Sequence, residues 1–264
     1  MGLQKQNNKE ETFCNDSTCN PTNILYIFTC KITFMPKKPI HKTAVLIFAN
    51  SGKEEVGRKA ITHAETLFEK LTKHTIATVE QASLPYFHIS EENQIGTNFG
   101  ERFVNALDKV FGKGYQNVIA IGNDTPQLEH LDILNAKEKC EKGNLVIGPS
   151  VDGGFYLLAI DKEKYSSLPL QRIAWQTNKV ASEVQRLSTL KNISVELLNT
   201  YTDIDSVSDI KYLIDLQLVE DKILILLLGI ITAQPQIDAV EEHFFTTLFQ
   251  NTHLSRGSPK SFLS

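Results

Sequence analysis

Acidic residues punctuate this chain at the ends of apolar runs. Gly122-Asn-Asp-Thr-Pro126 follows the apolar run Asn117-Val-Ile-Ala-Ile121, so Asp124 would stand at the carboxyl end of a buried strand, fixed between a glycine and a proline. A carboxylate so placed suits a divalent cation such as Mg²⁺, which is held by one or two carboxylates together with phosphate oxygens. The plain alternative is a turn cap. In Asp203-Ile-Asp-Ser206, alternation puts Asp203 and Asp205 on one side of an extended backbone, where one of them could supply a second metal ligand. Capping of the next helix by Asp205 or Ser206 is the alternative there. In Gly148-Pro-Ser-Val-Asp-Gly-Gly154, Gly153 and Gly154 permit positive φ and close approach of backbone to a ligand. Asp152 beside them could contact an acceptor hydroxyl or act as a general base. The same run also reads as a hairpin turn.

Asn50-Ser-Gly-Lys-Glu-Glu-Val-Gly-Arg-Lys59 follows the first apolar run and opens a helical pattern, the position of a phosphate-binding loop. Gly52, Lys53 and Arg58 are suitable residue types, but the run matches neither GxxxxGK[ST] nor GxGxxG, and most such stretches are plain connections. Trp175, the only tryptophan, could stack on a sugar or a base; a core or lid role is the alternative. The seven histidines form no HExxH-type cluster.

These residues depend on elements that the hydrophobic pattern predicts. Ala44-Val-Leu-Ile-Phe-Ala49, residues 117–121, 145–147 and 155–160 are continuous apolar runs of strand length, as expected of strands covered on both faces. Shorter strands are expected at 75–80, 86–89 and 193–198. Helical spacing of Ala60, Ile61, Ala64, Leu67, Phe68 and Leu71 predicts a helix over 54–73, and further helices are expected near 103–111, 129–141, 178–190 and 206–218. Strands alternating with helices through short connections argue an α/β domain around a mostly parallel sheet. Ligands of such sheets bind outside the carboxyl ends of the strands, so Asp124, Asp152 and the 203–205 pair, far apart in sequence, could meet in one cleft.

Composition narrows the classes. The chain has 264 residues, 27 Lys+Arg against 31 Asp+Glu, and a formal net charge of −4. A slightly acidic balance without a basic block argues against non-specific nucleic-acid binding. Gly and Pro are too few for a collagen-like or largely disordered chain. Cys14, Cys19, Cys30 and Cys140 form no CxxC pair, which reads as free thiols in a reducing, cytoplasmic setting. Residues 1–40 read as a loosely attached extension, 41–220 as the α/β domain and 221–264 as a helical extension with a polar tail. The run Ile223-Leu-Ile-Leu-Leu-Leu-Gly-Ile-Ile231 is about half the length of a membrane span and reads as a helix docked on the domain.

Taken in order, Gly100-Glu-Arg-Phe103, Gly114-Tyr115, Ile121-Gly-Asn-Asp-Thr-Pro126, Gly148-Pro-Ser-Val-Asp-Gly-Gly-Phe-Tyr156 and Asp203-Ile-Asp-Ser206 resemble a bacterial glycosyltransferase-like family, domain of unknown function 2064. It belongs to the GT-A, or nucleotide-diphospho-sugar transferase, superfamily, and the texture is similar to Bacteroidetes-type members. The resemblance covers about residues 43–218. It implies a Rossmann-like three-layer sandwich that binds a nucleotide diphosphate with Mg²⁺ or Mn²⁺. Asp124 matches the superfamily's metal-binding acid and Asp205 a later acid that completes the metal site in related nucleotidyltransferases. Asp152, Gly153 and Gly154 match a DGG turn, while Trp175 and Thr177 match a WST-type run. The family's basic run after the first strand, roughly KxPxxGxVKTRL, is replaced here by residues 50–59, which lack the Pro and the KTRL.

The resulting expectation is a soluble metal-dependent glycosyltransferase using a nucleotide-diphospho-sugar and a small-molecule acceptor. Asp152 is the expected catalytic residue, Asp124 and Asp205 the metal ligands. Gly52, Lys53, Arg58, Asn123, Gly153, Gly154 and Trp175 are expected to bind the donor. The alternatives are a nucleotidyltransferase taking an NTP and a phosphorylated acceptor, or a non-catalytic nucleotide-binding module that kept the fold.

Overall fold

The computed structural model describes residues 42–233. The expected extension over 1–40, with Cys14, Cys19 and Cys30, and the polar tail near the C-terminus lie outside the described residues. Internal contacts divide the chain into Met1–Lys37 and Lys38–Ser264, and only the second unit contains described residues.

Six strands form one sheet in the order β2-β1-β3-β5-β4-β6: β1 (Thr43–Phe48), β2 (Tyr86–Ile89), β3 (Asn117–Ile121), β4 (Leu145–Pro149), β5 (Phe155–Asp161) and β6 (Val195–Leu197). β1 pairs in parallel with β2 and β3, and β4 with β6; β5 alone runs antiparallel, between β3 and β4. The sheet is therefore mostly parallel, as its unbroken apolar strands predict. Alternate residues serve opposite faces. Leu46, Val118, Ala120, Ile147 and Leu158 join a core built with α3 (Phe99–Phe111) and α6 (Val180–Leu190). Val45, Ile47, Ile119, Val146 and Leu157 join a second core with α4 (His130–Glu141) and the end of α2 (Ala64–Gln81). Burial on both faces leaves no place for polar residues within β1, β3 and β5, so polar chemistry is confined to the strand ends.

The remaining elements are α1 (Gly52–Glu55), α5 (Lys162–Ser167), α7 (Val207–Asp215) and α8 (Asp221–Thr232). α7 opens with a capping box in which the Ser206 hydroxyl accepts from Asp209 N–H while the Asp209 carboxylate accepts from Ser206 N–H. α8 buries Ile223, Leu227 and Ile230 against Phe68 and Leu71 of α2 and Ile210 and Leu213 of α7. Among the described residues no helix is long and apolar enough to cross a membrane. Cys140 is a free, buried thiol, and burial pushes its pKa up to about 12.

Two expectations are corrected. The helix expected over 54–73 is broken: α1 ends at Glu55, and α2 starts only at Ala64, after His63 turns into the left-handed region at φ 58°. The strand expected over 75–80 is instead the last part of α2. Its β-branched residues favour a strand locally, but Thr75, Thr78 and Val79 continue the buried stripe of Leu67, Phe68 and Leu71 at helical spacing, and packing overrides propensity.

The β4–β5 turn is fixed by one glycine. Gly153 has φ +90°, and a Cβ there would lie 2.1 Å from the Asn178 carbonyl oxygen, while its own carbonyl accepts from Ala181 N–H. Gly143 also has positive φ, +92°, but open space around it. Alanine at Gly143 should cost about 1 kcal/mol, the conformational term alone. Alanine at Gly153 should cost about 1–3 kcal/mol more, since the turn must also move off α6. Thermal melts of the two variants check this, and equal losses would show that the turn is not clamped.

Candidate functional site

A cleft of about 630 Å³ opens at the carboxyl ends of β1 and β3, where the sheet's topology permits polar residues. The loop after β1 supplies Asn50, Glu55, Arg58 and Lys59; the turn after β3 supplies Gly122, Asn123 and Asp124; the strand-to-helix loop before α7 supplies Asp203 and Asp205. α3 contributes an opposite wall through Phe99, Arg102 and Phe103.

The acids of the second and third loops do converge, on an ammonium group. Lys59 Nζ lies 3.0 Å from Asp124 Oδ2 and 3.0 Å from Asp205 Oδ1, and it donates to the Ile204 carbonyl at 2.7 Å. Glu55 Oε2 stands 4.0 Å away, and the ammonium also lies 4.5 Å from the centroid of the Phe68 ring. The Lys59 side chain is only 11% exposed, while Asp124 is 30% and Asp205 55% exposed, so solvent screens the Asp205 contact more than the Asp124 one. Burial by itself would lower the Lys59 pKa, but Asp124, then Asp205 and Glu55, raise it, and the lysine is firmly cationic. A main-chain bond from Ile204 N–H to the Asp124 carbonyl, 2.8 Å, joins the two acid-bearing loops directly. The break between α1 and α2 allows Lys59 to turn inward, because a continuous helix would carry it past the acids.

The residues expected to bind a donor divide. Asn123 lines the cleft but is 6% exposed, and its amide donates to Thr72 Oγ1 at 2.8 Å, tying the β3 turn to α2. Arg58 stands at the cleft rim with both Nε and Nη2 donating to Glu54 Oε1. Gly52 and Lys53 do not line the cleft: Gly52 is buried against the start of α2, and Lys53 is exposed. The loop's anion-binding groups are also engaged, since Ser51 N–H and its hydroxyl donate to the Glu91 carboxylate at 2.7 and 2.5 Å. Burial works against ionisation of Glu91, but those bonds and Arg58 hold its pKa below the usual range.

Asp152, Gly154 and Trp175 line a second cavity of about 320 Å³, together with Ser150, Thr177 and Asn178. Gly153 lines neither cavity and serves the turn. Asp152 Oδ1 accepts from Gly154 N–H at 2.9 Å and Ser150 Oγ at 2.5 Å, so its carboxylate shapes the turn while facing the cavity. Trp175 is half-buried among Phe99, Phe103 and Phe155, with ring centroids 5.1–5.8 Å away, and its indole N–H donates to the Leu170 carbonyl. Gly100 makes that seat possible: a Cβ there would lie 2.5 Å from the indole. Most of the tryptophan is therefore structural, with part of its surface left to the cavity wall.

Lys59, Arg102 and Gln176 were not among the expected site residues, and Asp203 was weighed as a metal ligand only as the alternative to Asp205. Asp203 and Gln176 line both cavities. Asp203 accepts hydrogen bonds from Thr125 Oγ1 and Ser150; burial, then the Asp124 charge, pushes its carboxyl up to about 8 against those bonds. Gln176 holds a left-handed φ of 60° between the two cavities. All four lie within runs singled out in the sequence, yet nothing in spacing alone says which way their side chains turn.

Two carboxylates and a main-chain carbonyl around one positive centre are hard oxygen donors, the type that Mg²⁺ and Mn²⁺ take. The cluster fits such an ion on condition that the Lys59 ammonium leaves and that phosphate or water completes the shell. Among the described residues, no group of three His, Cys, Asp or Glu side chains forms a metal-binding cluster by itself.

Among solved structures, a candidate nucleotide-diphospho-sugar transferase from Desulfovibrio desulfuricans G20 superposes with a TM-score of 0.60 at 19% identity, covering 67% of this chain and 88% of that one. Two looser likenesses are the 4-diphosphocytidyl-2C-methyl-D-erythritol synthase of Anaerococcus prevotii DSM 20548 (TM-score 0.43, 12% identity, 64% and 95% coverage) and Rv0371c of Mycobacterium tuberculosis H37Rv in complex with manganese (0.38, 12%, 65% and 96%). At these identities the first likeness is one of fold, and the looser two carry no argument. No curated protein is a significant sequence match. Residues 60–177 match the family described as "Uncharacterized protein conserved in bacteria (DUF2064)", a narrower span than the expected 43–218 that begins just past the altered 50–59 loop. Over residues 60–177 the chain is thus similar to the bacterial family DUF2064, and its fold is shared with a candidate nucleotide-diphospho-sugar transferase.

Proposed function

We propose that this protein is a transferase acting on a nucleotide-activated donor, foremost a nucleotide-diphospho-sugar. The observation that carries the reading is the convergence of Asp124 and Asp205 on one positive charge at 3.0 Å each, at the mouth of the sheet. In this reading Asp124, Asp205 and the Ile204 carbonyl hold Mg²⁺ or Mn²⁺ once Lys59 withdraws. The bound ion would act as a Lewis acid on the leaving nucleotide. Lys59, released from the acids and still positively charged, is then near enough to the same cleft to meet the phosphates. Arg58 adds charge at the rim if it gives up Glu54. The acceptor lies in the second cavity, where Asp152 contacts its hydroxyl and serves as base. Nucleotidyl transfer from an NTP would use the same cleft, and release of pyrophosphate instead of a nucleoside diphosphate separates the two reactions. The engagement of Ser51 by Glu91 favours a second reading, a module that kept the fold without catalysis.

Two measurements test this reading. Asp124→Asn keeps the shape of the turn and should lower the Mn²⁺-dependent affinity for nucleoside diphosphates by about tenfold or more, the loss of at least one charge-assisted contact worth ~1.4 kcal/mol, with an unchanged circular dichroism spectrum. Equal affinity would remove the metal assignment, and no binding of any nucleotide by the native protein would favour the module. Lys59→Met should bind Mn²⁺ without nucleotide about tenfold more tightly than the native protein, as followed by the loss of free Mn²⁺ signal in electron paramagnetic resonance, because the ion no longer has to displace an ammonium. Equal Mn²⁺ affinities would show that Lys59 and the ion do not share a position.

A further inference from the structure

The positive groups around the main cleft are nearly all committed. Lys59 is divided among Asp124, Asp205 and Ile204; Arg58 is paired with Glu54; the Ser51 N–H and hydroxyl are given to Glu91. Lys53 does not line the cleft. Arg102 is the exception. Arg102, half-buried on α3, lines the cleft, and no ion pair of its side chain is found among the described residues. Its Nε is buried, and it is the one buried side-chain nitrogen or oxygen among them without a hydrogen-bond partner. A buried, charged donor left unpaired is costly and calls for an anionic partner.

We infer that Arg102 is the primary anion-binding residue of this cleft and takes the diphosphate of the donor. This deepens the proposed function and rests on its placement of the donor in the larger cleft. Arg102 belongs to that cleft and not to the second cavity, which assigns it to the donor side and not to the acceptor. A guanidinium offers several N–H groups in one plane, and its two Nη groups can meet two phosphate oxygens, a geometry that an ammonium lacks. Arg102 is held for this task by its neighbours. Asn98 caps α3 by accepting from Glu101 N–H at 3.0 Å, and Phe99 and Phe103 on either side of the arginine anchor the helix in the aromatic cluster around Trp175. The loop after β1 is self-satisfied through Ser51 and Arg58, and Arg102 stands across the cleft from it on α3.

The test is calorimetric titration with inorganic pyrophosphate, which carries the anion without a base or sugar, in EDTA so that no metal contributes. The native protein should bind it, with an affinity that weakens as salt is raised. Arg102→Gln should lose at least tenfold, and Arg102→Lys should recover part of that loss, since it restores the charge but not the two Nη groups. Matching thermal melts for the three proteins separate this from a packing effect. Equal pyrophosphate affinity for native protein and Arg102→Gln, or no binding by the native protein, would overturn the inference. Titration of nucleoside diphosphates with Mn²⁺ runs beside it: pyrophosphate binding through Arg102 with no nucleotide binding would sink the proposed donor and leave the anion site standing.

Discussion

An ammonium buried between two carboxylates is the interaction on which the rest of this site is arranged. Lys59 comes from the loop after β1, Asp124 from the turn after β3, and Asp205 from the segment before α7, so one charge cluster ties together three loops remote in sequence. Neither acid is deeply buried, with side chains 30% and 55% exposed, whereas the lysine is 11% exposed. Removing Lys59 would leave two like charges facing each other at the mouth of the sheet, and removing the acids would strand a desolvated cation. Some positive charge is therefore obligatory at this point, whether an ammonium or a metal ion supplies it.

The same economy runs through the cleft. Each group that the loop after β1 could offer to a phosphate is matched by a carboxylate of the chain itself: Ser51 by Glu91, Arg58 by Glu54, Lys59 by the acid pair. Under the proposed function, a donor entering this cleft would exchange partners with groups already satisfied, apart from Arg102. The bond from Asn123 to Thr72 ties the β3 turn to α2, and the stacking of Tyr156 on Tyr201 ties the loop after β6 to β5. The cleft and the second cavity meet at Asp203, Phe99, Phe155 and Gln176, so two ligands held in them would share a boundary.

Much of the fold was legible because burial on both faces writes unbroken apolar runs into β1, β3, β4 and β5, and because glycines stop α3 and α4. The failures had tertiary causes. The β-branched residues among 75–79 looked like a strand since the α4 surface against which Ile76 and Val79 pack is invisible in sequence. The break between α1 and α2 holds Gly57, but the left-handed turn at His63 that restarts the helix carries neither glycine nor proline. At the site, strand-end position was enough to bring Asp124, Asp205 and Asp152 to adjoining cavities. Lys53 and Gly52 had suitable chemistry and sequence position, but α1 is a single turn whose other side faces the cleft. Arg102 was quoted in the Gly100–Phe103 run without a role because its significance is a missing partner, which only coordinates can reveal.

On the proposed function, the gap between Asp124 and Asp205 is one cation position that Lys59 and a metal ion occupy in turn. Crystals grown with a nucleoside diphosphate and Mn²⁺, measured for anomalous scattering at the manganese edge, address it most directly. The account predicts one anomalous peak bonded to both carboxylates, with the Lys59 ammonium moved out toward the phosphates. A nucleotide seated in the cleft while Lys59 still bridges the two acids, or a manganese peak elsewhere, would contradict it.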